Sequence, residues 1–83
     1  MQNHKLLNAH IRILRKLEKA GEDGVVASEL VPERSYREFV LRYLCIHGLI
    51  ERQKRFRGER VFITEKGLSL IYKFNNGHEE LPD

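Results

Sequence analysis

Residues 49–64 constrain the fold more than any other part of this 83-residue chain. They form two extended runs joined by a turn, which we expect at 57–59 with Gly58 at its tip, and this pattern predicts a β-hairpin. A cation-rich hairpin placed just after a helix is typical of domains that bind nucleic acid. The hairpin's cations are Arg52, Lys54, Arg55, Arg57 and Arg60.

The charge distribution supports a polyanionic partner more strongly than the total charge does. The net charge is only +3 and the isoelectric point about 9.2. The acids Glu79, Glu80 and Asp83 lie in the last nine residues, which contain no Lys or Arg, so the rest of the chain is more cationic than the total. Such a surface attracts phosphate polymers through counterion release. We expect one domain at 4–74 and a disordered acidic tail at 75–83.

Several classes of function lack support in the sequence. The histidines have no metal-ligand spacing, and no phosphate-binding loop or nucleophile motif occurs. We therefore expect no enzyme activity, cofactor, metal or small-molecule ligand. No apolar run approaches the roughly 20 residues that span a bilayer, and the first residues do not resemble a signal peptide. A cytoplasmic protein without a membrane partner is expected.

The single cysteine, Cys45, cannot form an intramolecular disulfide, so the sequence does not indicate an oxidising compartment. A redox-sensing thiol would have to be exposed and to have a lowered pKa. The apolar neighbours Leu44 and Ile46 instead predict that Cys45 is buried.

The first half of the chain contains helical and strand patterns separated by turn residues. Apolar spacing predicts an amphipathic helix over 4–20, with Gly21 as its C-terminal cap. Val25–Val26 is long enough for a short edge strand. Ser28 is then expected to cap a short helix at 29–31.

Two further helices are expected on either side of the hairpin. Ser35 and Glu38 have the spacing of a capping box, which predicts a helix over 36–47 closed by Gly48. After the hairpin, Thr64 is a suitable N-cap for a last helix at 65–74.

Two short segments resemble those of a known family. His47–Glu51 resembles the glycine-leucine-hydrophobic-acid exit from a recognition helix, and Ile63–Leu68 resembles the T-x-K-G junction that closes the wing. With the element order, these segments resemble winged helix-turn-helix regulators of the MarR-like and PadR-like groups over residues 6–74. The resemblance implies a mostly helical α+β fold: three N-terminal helices, a two- to three-stranded antiparallel sheet forming one wing, and a C-terminal helix.

The resemblance also implies that the chain binds double-stranded DNA. The 36–47 helix would enter the major groove, and the hairpin would lie on the backbone or in the minor groove. The implied helix contacts are Arg34, Ser35, Tyr36, Arg37, Glu38, Phe39 and Arg42. The five hairpin cations would contact phosphate or the minor groove, although cations also keep a hairpin tip solvated and protect strand edges.

Two rotational registers of the 36–47 helix remain open. The family register places Arg37 where an aliphatic core residue usually lies, and it turns Phe39 toward DNA. Both registers expose Glu38 and Arg42. The helical period instead turns these residues inward: Tyr36, Val40, Tyr43, Leu44 and His47.

The last helix has apolar residues on two sides. Leu68, Ile71 and Tyr72 form the expected core stripe, while Leu70 and Phe74 point the other way. A helix that is apolar on two sides usually has two neighbours, so we expect a homodimer contact at Leu70 and Phe74. They could instead cover the base of the wing within one chain.

These features predict a homodimeric transcriptional regulator, and a repressor rather than an activator because the chain leaves no room for an activation module. An archaeal, viral or mobile-element source fits its small size. The alternatives are a winged-helix protein–protein module of a transcription or assembly complex, an RNA-binding winged helix, and a nonspecific architectural binder of nucleic acid.

Overall fold

A computed structural model of the chain describes residues 8–76, and the side chains of residues 8–73. The elements are α1 (Asn8–Ala20), a 3₁₀ turn (Gly21–Asp23), β1 (Val25–Val26), α2 (Ala27–Leu30), α3 (Arg34–Ile46), β2 (Ile50–Arg55), β3 (Gly58–Ile63) and α4 (Glu65–Asn76). The mostly helical α+β class expected from the sequence is confirmed.

Helix α1 supplies one side of the core. Its apolar stripe buries Ile13, Leu14 and Leu17, as its spacing predicts, and Ile11 is buried beside them. The helix ends at Ala20, and the next residue, Gly21, adopts a φ of 62°, the left-handed conformation expected of a C-terminal cap. Residues 4–7 of the predicted helix lie outside the described part of the chain.

The sheet is antiparallel, and its strand order is β1-β3-β2. Val61 of β3 is fully buried and pairs with Val25 on one side and Arg52 on the other. The expected edge strand and hairpin are therefore confirmed. Because Arg55 pairs with Gly58, the turn consists of residues 56–57, so Gly58 opens β3 instead of forming the tip.

Two of the predicted helix caps are wrong. Helix α2 begins at Ala27, directly after β1, so Ser28 lies inside it and caps nothing. At α3 the N-cap is Glu33, whose carboxylate accepts a hydrogen bond from the Tyr36 amide at 2.6 Å. Ser35 is therefore already helical, and no capping box forms.

The core is formed by side chains from every helix and strand. After helix α2, its fully buried members are Val40, Leu41, Leu44, Val61 and Ile71. A stacked pair also joins α1 to α3, because the rings of His10 and Tyr43 lie 4.9 Å apart. Burial of His10, together with the nearby His47, lowers the pKa of the His10 imidazole.

The two family-like segments contact each other at the start of α4. The Thr64 hydroxyl donates to the Gly48 carbonyl at 2.6 Å and accepts from the Gly67 amide at 3.1 Å, so Thr64 is the cap predicted from the sequence. The Thr64 amide donates to the Leu49 carbonyl at 3.1 Å. These bonds fasten the end of the hairpin to the segment that leaves α3.

The apolar faces of α4 were assigned incorrectly from the sequence. Ile71 is fully buried and Leu70 packs against the core, whereas Leu68 is 41% exposed and Tyr72 is 70% exposed. The close approach of Gly67 to the hairpin sets this rotation of the helix. Leu70 is thus drawn into the chain's own core, and the dimer contact expected at Leu70 and Phe74 stays a prediction.

The last residues of the chain are described only in part. Helix α4 includes Asn75 and Asn76, two residues beyond its expected end. Residues 77–83 of the expected tail lie outside the described residues, as does the side chain of Phe74. Between residues 8 and 76, no helix is long and apolar enough to cross a membrane.

We predict that Gly67→Ala destabilises the fold, although alanine is the better helix former. A Cβ atom at this position would lie 2.4 Å from the Leu49 carbonyl oxygen and 2.7 Å from Cγ1 of Ile63. Because the first neighbour is backbone, relief requires a shift of α4, and we expect a loss of about 1–3 kcal/mol in the free energy of unfolding.

Urea denaturation measures this loss, with Ser69→Ala, an exposed position on the same helix, as the control. Ser69→Ala should leave the stability unchanged or slightly raised. Equal stability of the Gly67→Ala variant and the unchanged protein would contradict the packing described at the start of α4.

Candidate nucleic-acid interface

Helix α3 turns one face to the core and leaves the opposite face open. Val40, Leu41 and Leu44 are fully buried, while Phe39 is 72% exposed. Half-buried Arg37 and exposed Phe39 agree with the family register. Val40, Tyr43, Leu44 and His47 turn inward as the helical period predicts, while Tyr36 is 41% exposed. The predicted helix contacts that lie exposed are Arg34, Ser35, Tyr36, Glu38, Phe39 and Arg42.

Arg37 differs from the other predicted contacts because its guanidinium is held within the chain. Its Nη1 atom donates to the carbonyl of Val31 at 3.0 Å and to that of Pro32 at 3.4 Å. A long side chain can thus fill a position near the core while its charged end satisfies carbonyls after α2. We assign Arg37 to holding α2 against α3.

The hairpin presents different residues on its two faces. Because side chains alternate along a strand and paired residues share a face, Arg52, Lys54 and Glu59 lie on the same side as buried Val61. The other side carries Gln53, Arg55, Arg60 and Phe62. The hairpin therefore has one set of cations toward the helices and another facing away.

Arg52 links the hairpin to helix α3 through two carboxylates. Its Nη2 atom donates to Glu38 at 2.9 and 3.2 Å and to Oε1 of Glu59 at 3.1 Å, and its Nε donates to Oε2 of Glu59. The hydrogen bond and charge of Arg52 lower the pKa of the Glu38 carboxyl. Glu59 and Glu38 in turn raise the pKa of Arg52. The charge of Arg52 is thus compensated within the chain, whereas a side chain that binds phosphate keeps its charge exposed to solvent.

Two further hairpin cations have contacts of their own. Nη1 of Arg60 donates to the carbonyl of Asp23 at 2.9 Å and to that of Gly24 at 3.5 Å, which ties the hairpin base to the turn after α1. Arg55 donates to the side chain of Gln53 at 2.8 Å, and its guanidinium lies 5.8 Å from the ring centre of Phe62. Arg55 is exposed, so its charge still faces solvent.

The exposed cations of α3 and the hairpin form two groups. Within the described residues, Arg34 and Arg42 on α3, and Lys54 and Arg57 on the hairpin, are exposed and make no hydrogen bond or salt bridge. With Arg55 they form the positive charge that these two elements offer to a polyanion. Arg52, joined to both elements, lies between the two groups.

The chain matches solved structures of regulators over most of its length. A mutant of S. aureus MepR superposes with a TM-score of 0.77 at 19% identity, and the match covers 88% of this chain and 58% of that one. A MarR family transcription regulator gives 0.72 at 24% identity, covering 88% and 52%. An S. aureus MepR–DNA complex gives 0.70 at 21% identity, covering 84% and 57%.

The chain has the winged helix-turn-helix fold. In this fold the helix at the position of α3 is named the recognition helix and the hairpin is named the wing, and we use these names for α3 and β2–β3. The chain spans between one half and three fifths of the regulators it matches. No family model matches the sequence, and a search of curated proteins found no match.

The end of helix α3 differs from the prediction at one residue, Cys45. Cys45 is exposed, and Ile46 beside it is 73% exposed, so the predicted burial of Cys45 is wrong. Both follow the last buried turn of the recognition helix, where the chain begins to leave the core.

Among the described residues, no group of histidine, cysteine and acidic side chains could hold a metal ion.

Sequence reasoning missed Phe56, which forms the wing tip with Arg57. Its side chain is 96% exposed. One sequence feature could have identified it, since it is an aromatic residue directly between two arginines and two residues before Gly58.

We predict that Arg52→Ala raises the pKa of the Glu38 carboxyl, because the variant removes the main cause of its depression. NMR titration of the side-chain carboxyl carbon measures this value. A carboxyl whose folded-state pKa lies below its unfolded value stabilises the fold at higher pH, and that contribution is lost as the pH falls through the lowered value. The salt bridge between Arg52 and Glu38 should therefore open in acid.

Arg55→Ala is the matched control, since Arg55 lies on the opposite face of the wing from Arg52. This variant should leave the Glu38 titration unchanged. An identical Glu38 pKa in the unchanged protein and in Arg52→Ala would show that the bridge does not form in solution.

Proposed function

We propose that this chain is a non-catalytic, sequence-specific regulator of transcription that binds double-stranded DNA. The recognition helix lies in the major groove, and the wing lies on the backbone or in the adjacent minor groove. The observation that carries the proposal is the Arg52 bridge, which holds the wing against the exposed face of the recognition helix. The DNA complex of MepR, a protein of similar fold, adds support.

The residues divide into three roles under this proposal. Arg42 and Phe39 contact base edges, since both project from the middle of the recognition helix. Arg34, Ser35 and Tyr36 lie at the start of that helix, where they contact phosphates or bases. The wing cations that reach phosphate are Lys54, Arg55 and Arg57.

The remaining predicted contacts support the interface from within the chain. Arg37, Arg52 and Arg60 orient α2, the wing and the turn after α1. The Glu38 carboxylate accepts hydrogen bonds from Arg52, so its part is to position the wing.

We further propose that the protein acts as a homodimeric repressor in the cytoplasm that occupies a pseudo-palindromic site. Half-sites would lie about one helical turn, ~34 Å, apart. The exposed side of α4, with Leu68 and Tyr72, supplies an apolar contact for a second copy. The dimer contact predicted at Leu70 and Phe74 remains part of the proposal, and Leu70 also packs partly against the core.

A protein–protein module is the second candidate function. Phe39 and Ile46 are 72% and 73% exposed on the recognition helix, and exposed apolar side chains at such spacing also suit a protein partner. The cationic wing favours DNA over this alternative.

Selection of bound duplexes from a random DNA pool at near-physiological salt tests the proposal. Enrichment of a pseudo-palindromic motif supports a dimeric, sequence-specific regulator. Binding without enrichment indicates an architectural binder. Absence of binding to duplex DNA contradicts the proposal and makes the protein partner the leading function.

We predict that Arg55→Ala combined with Arg57→Ala weakens binding to every duplex and lowers the slope of log affinity against log salt by up to about two, because two phosphate contacts are lost. Arg42→Ala should instead change the preferred sequence. Fluorescence anisotropy at several salt concentrations measures both effects.

Lys19→Ala combined with Lys73→Ala is the control, since it removes two positive charges from the ends of α1 and α4. This control should keep nearly the full salt slope. If the wing variant and the control bind alike, the wing is not the electrostatic anchor.

A further inference from the structure

The wing tip has a composition that neither its turn nor the core explains. Phe56 and Arg57 form the two-residue connection between β2 and β3. Such connections favour asparagine, aspartate and glycine, whose backbones tolerate the tight geometry. The Phe56 ring is 96% exposed, so it does not contribute to the core either. An apolar ring kept in water at this point is suited to burial in a partner.

The shape of the wing limits where that burial can occur. Phe56 lies four residues beyond Arg52, the last wing residue of β2 joined to α3, and strands rise about 3.3 Å per residue. The tip therefore extends about 13 Å beyond the bridge. A minor groove about 6 Å wide is too narrow for a two-stranded ribbon with its side chains, but it admits the side chains of the tip.

The charges around Phe56 favour a nucleic acid over an apolar partner. Arg55 and Arg57 are the neighbours of Phe56 in the sequence, and Lys54 lies one residue before Arg55. Two phosphate backbones border a minor groove, so cations on both sides of the ring can meet phosphates while the ring faces the groove floor. Arg55 is already oriented by Gln53 and the Phe62 ring.

We propose that Phe56 is an apolar wedge that enters the minor groove beside the recognition helix and partly unstacks one base step. This inference rests on the proposed DNA binding and adds a bending function to the wing. Wedges of this kind kink the duplex and let it contact more protein surface. Unstacking is easiest at pyrimidine–purine steps, so we expect a TA or CA step where the wing tip contacts the duplex.

The test places 2-aminopurine, whose fluorescence rises on unstacking, at successive positions flanking the selected site. The unchanged protein should raise the signal at one step, and Phe56→Ala should abolish this rise. The alanine variant should also bind about tenfold more weakly, the effect expected for one lost base–aromatic contact. Phe56→Leu, which keeps an apolar wedge, should retain most of the signal.

Salt dependence separates the wedge from its charged neighbours. Phe56→Ala removes no charge, so the salt slope should stay unchanged, whereas Arg57→Ala should lower that slope by about one and keep the fluorescence rise. Thermal unfolding of Phe56→Ala should match that of the unchanged protein, because the ring makes almost no contact within the chain.

Each outcome supports or overturns the wedge. Loss of the fluorescence rise with an unchanged salt slope in Phe56→Ala supports it. Tight duplex binding without any fluorescence rise, or equal binding by Phe56→Ala, overturns the wedge and leaves the proposed function standing. Failure of the unchanged protein to bind duplex DNA overturns both.

Discussion

The antiparallel pairing of β3 with both of its neighbours holds the structure together. Val61, at the middle of this strand, pairs with Val25 and with Arg52 and is fully buried beneath the helices. One end of the same strand forms the wing, and the other leads through Thr64 into α4. Because β3 is anchored on both sides, the wing projects from the core as a fixed extension of the sheet.

The Arg52 bridge then joins this extension to the recognition helix. The ion pair with Glu38, whose side chain is exposed, contributes little to stability, since water screens it and two long side chains must be ordered. Its contribution is geometric, because one guanidinium contacts Glu38 on the helix and Glu59 on the opposite wing strand. The two elements proposed to contact DNA thus keep a defined spacing before DNA arrives, which lowers the entropy lost on binding.

The sequence predicted features that depend on local residue patterns, and it failed where distant contacts decide. The helix stripe of α1, the edge strand, the hairpin and the Thr64 cap follow from spacing within a few residues. The caps at Ser28 and Ser35 were wrong because each helix begins earlier, α2 directly after β1 and α3 after the Glu33 cap. The predicted burial of Cys45 and core face of α4 were wrong because packing against other elements sets them. For the same reason the charge pattern could not distinguish Arg52 and Arg60 from Arg57. The guanidinium groups of Arg52 and Arg60 are hydrogen-bonded within the chain, whereas the Arg57 side chain is exposed.

Mapping of amide chemical shifts during titration with a selected duplex tests whether the recognition helix and the wing form one DNA-binding surface. We expect the largest shifts at residues 34–42 and 53–60, with small changes in α1 and on the exposed side of α4. Shifts confined to α4, or to the recognition helix without the wing, would contradict this expectation.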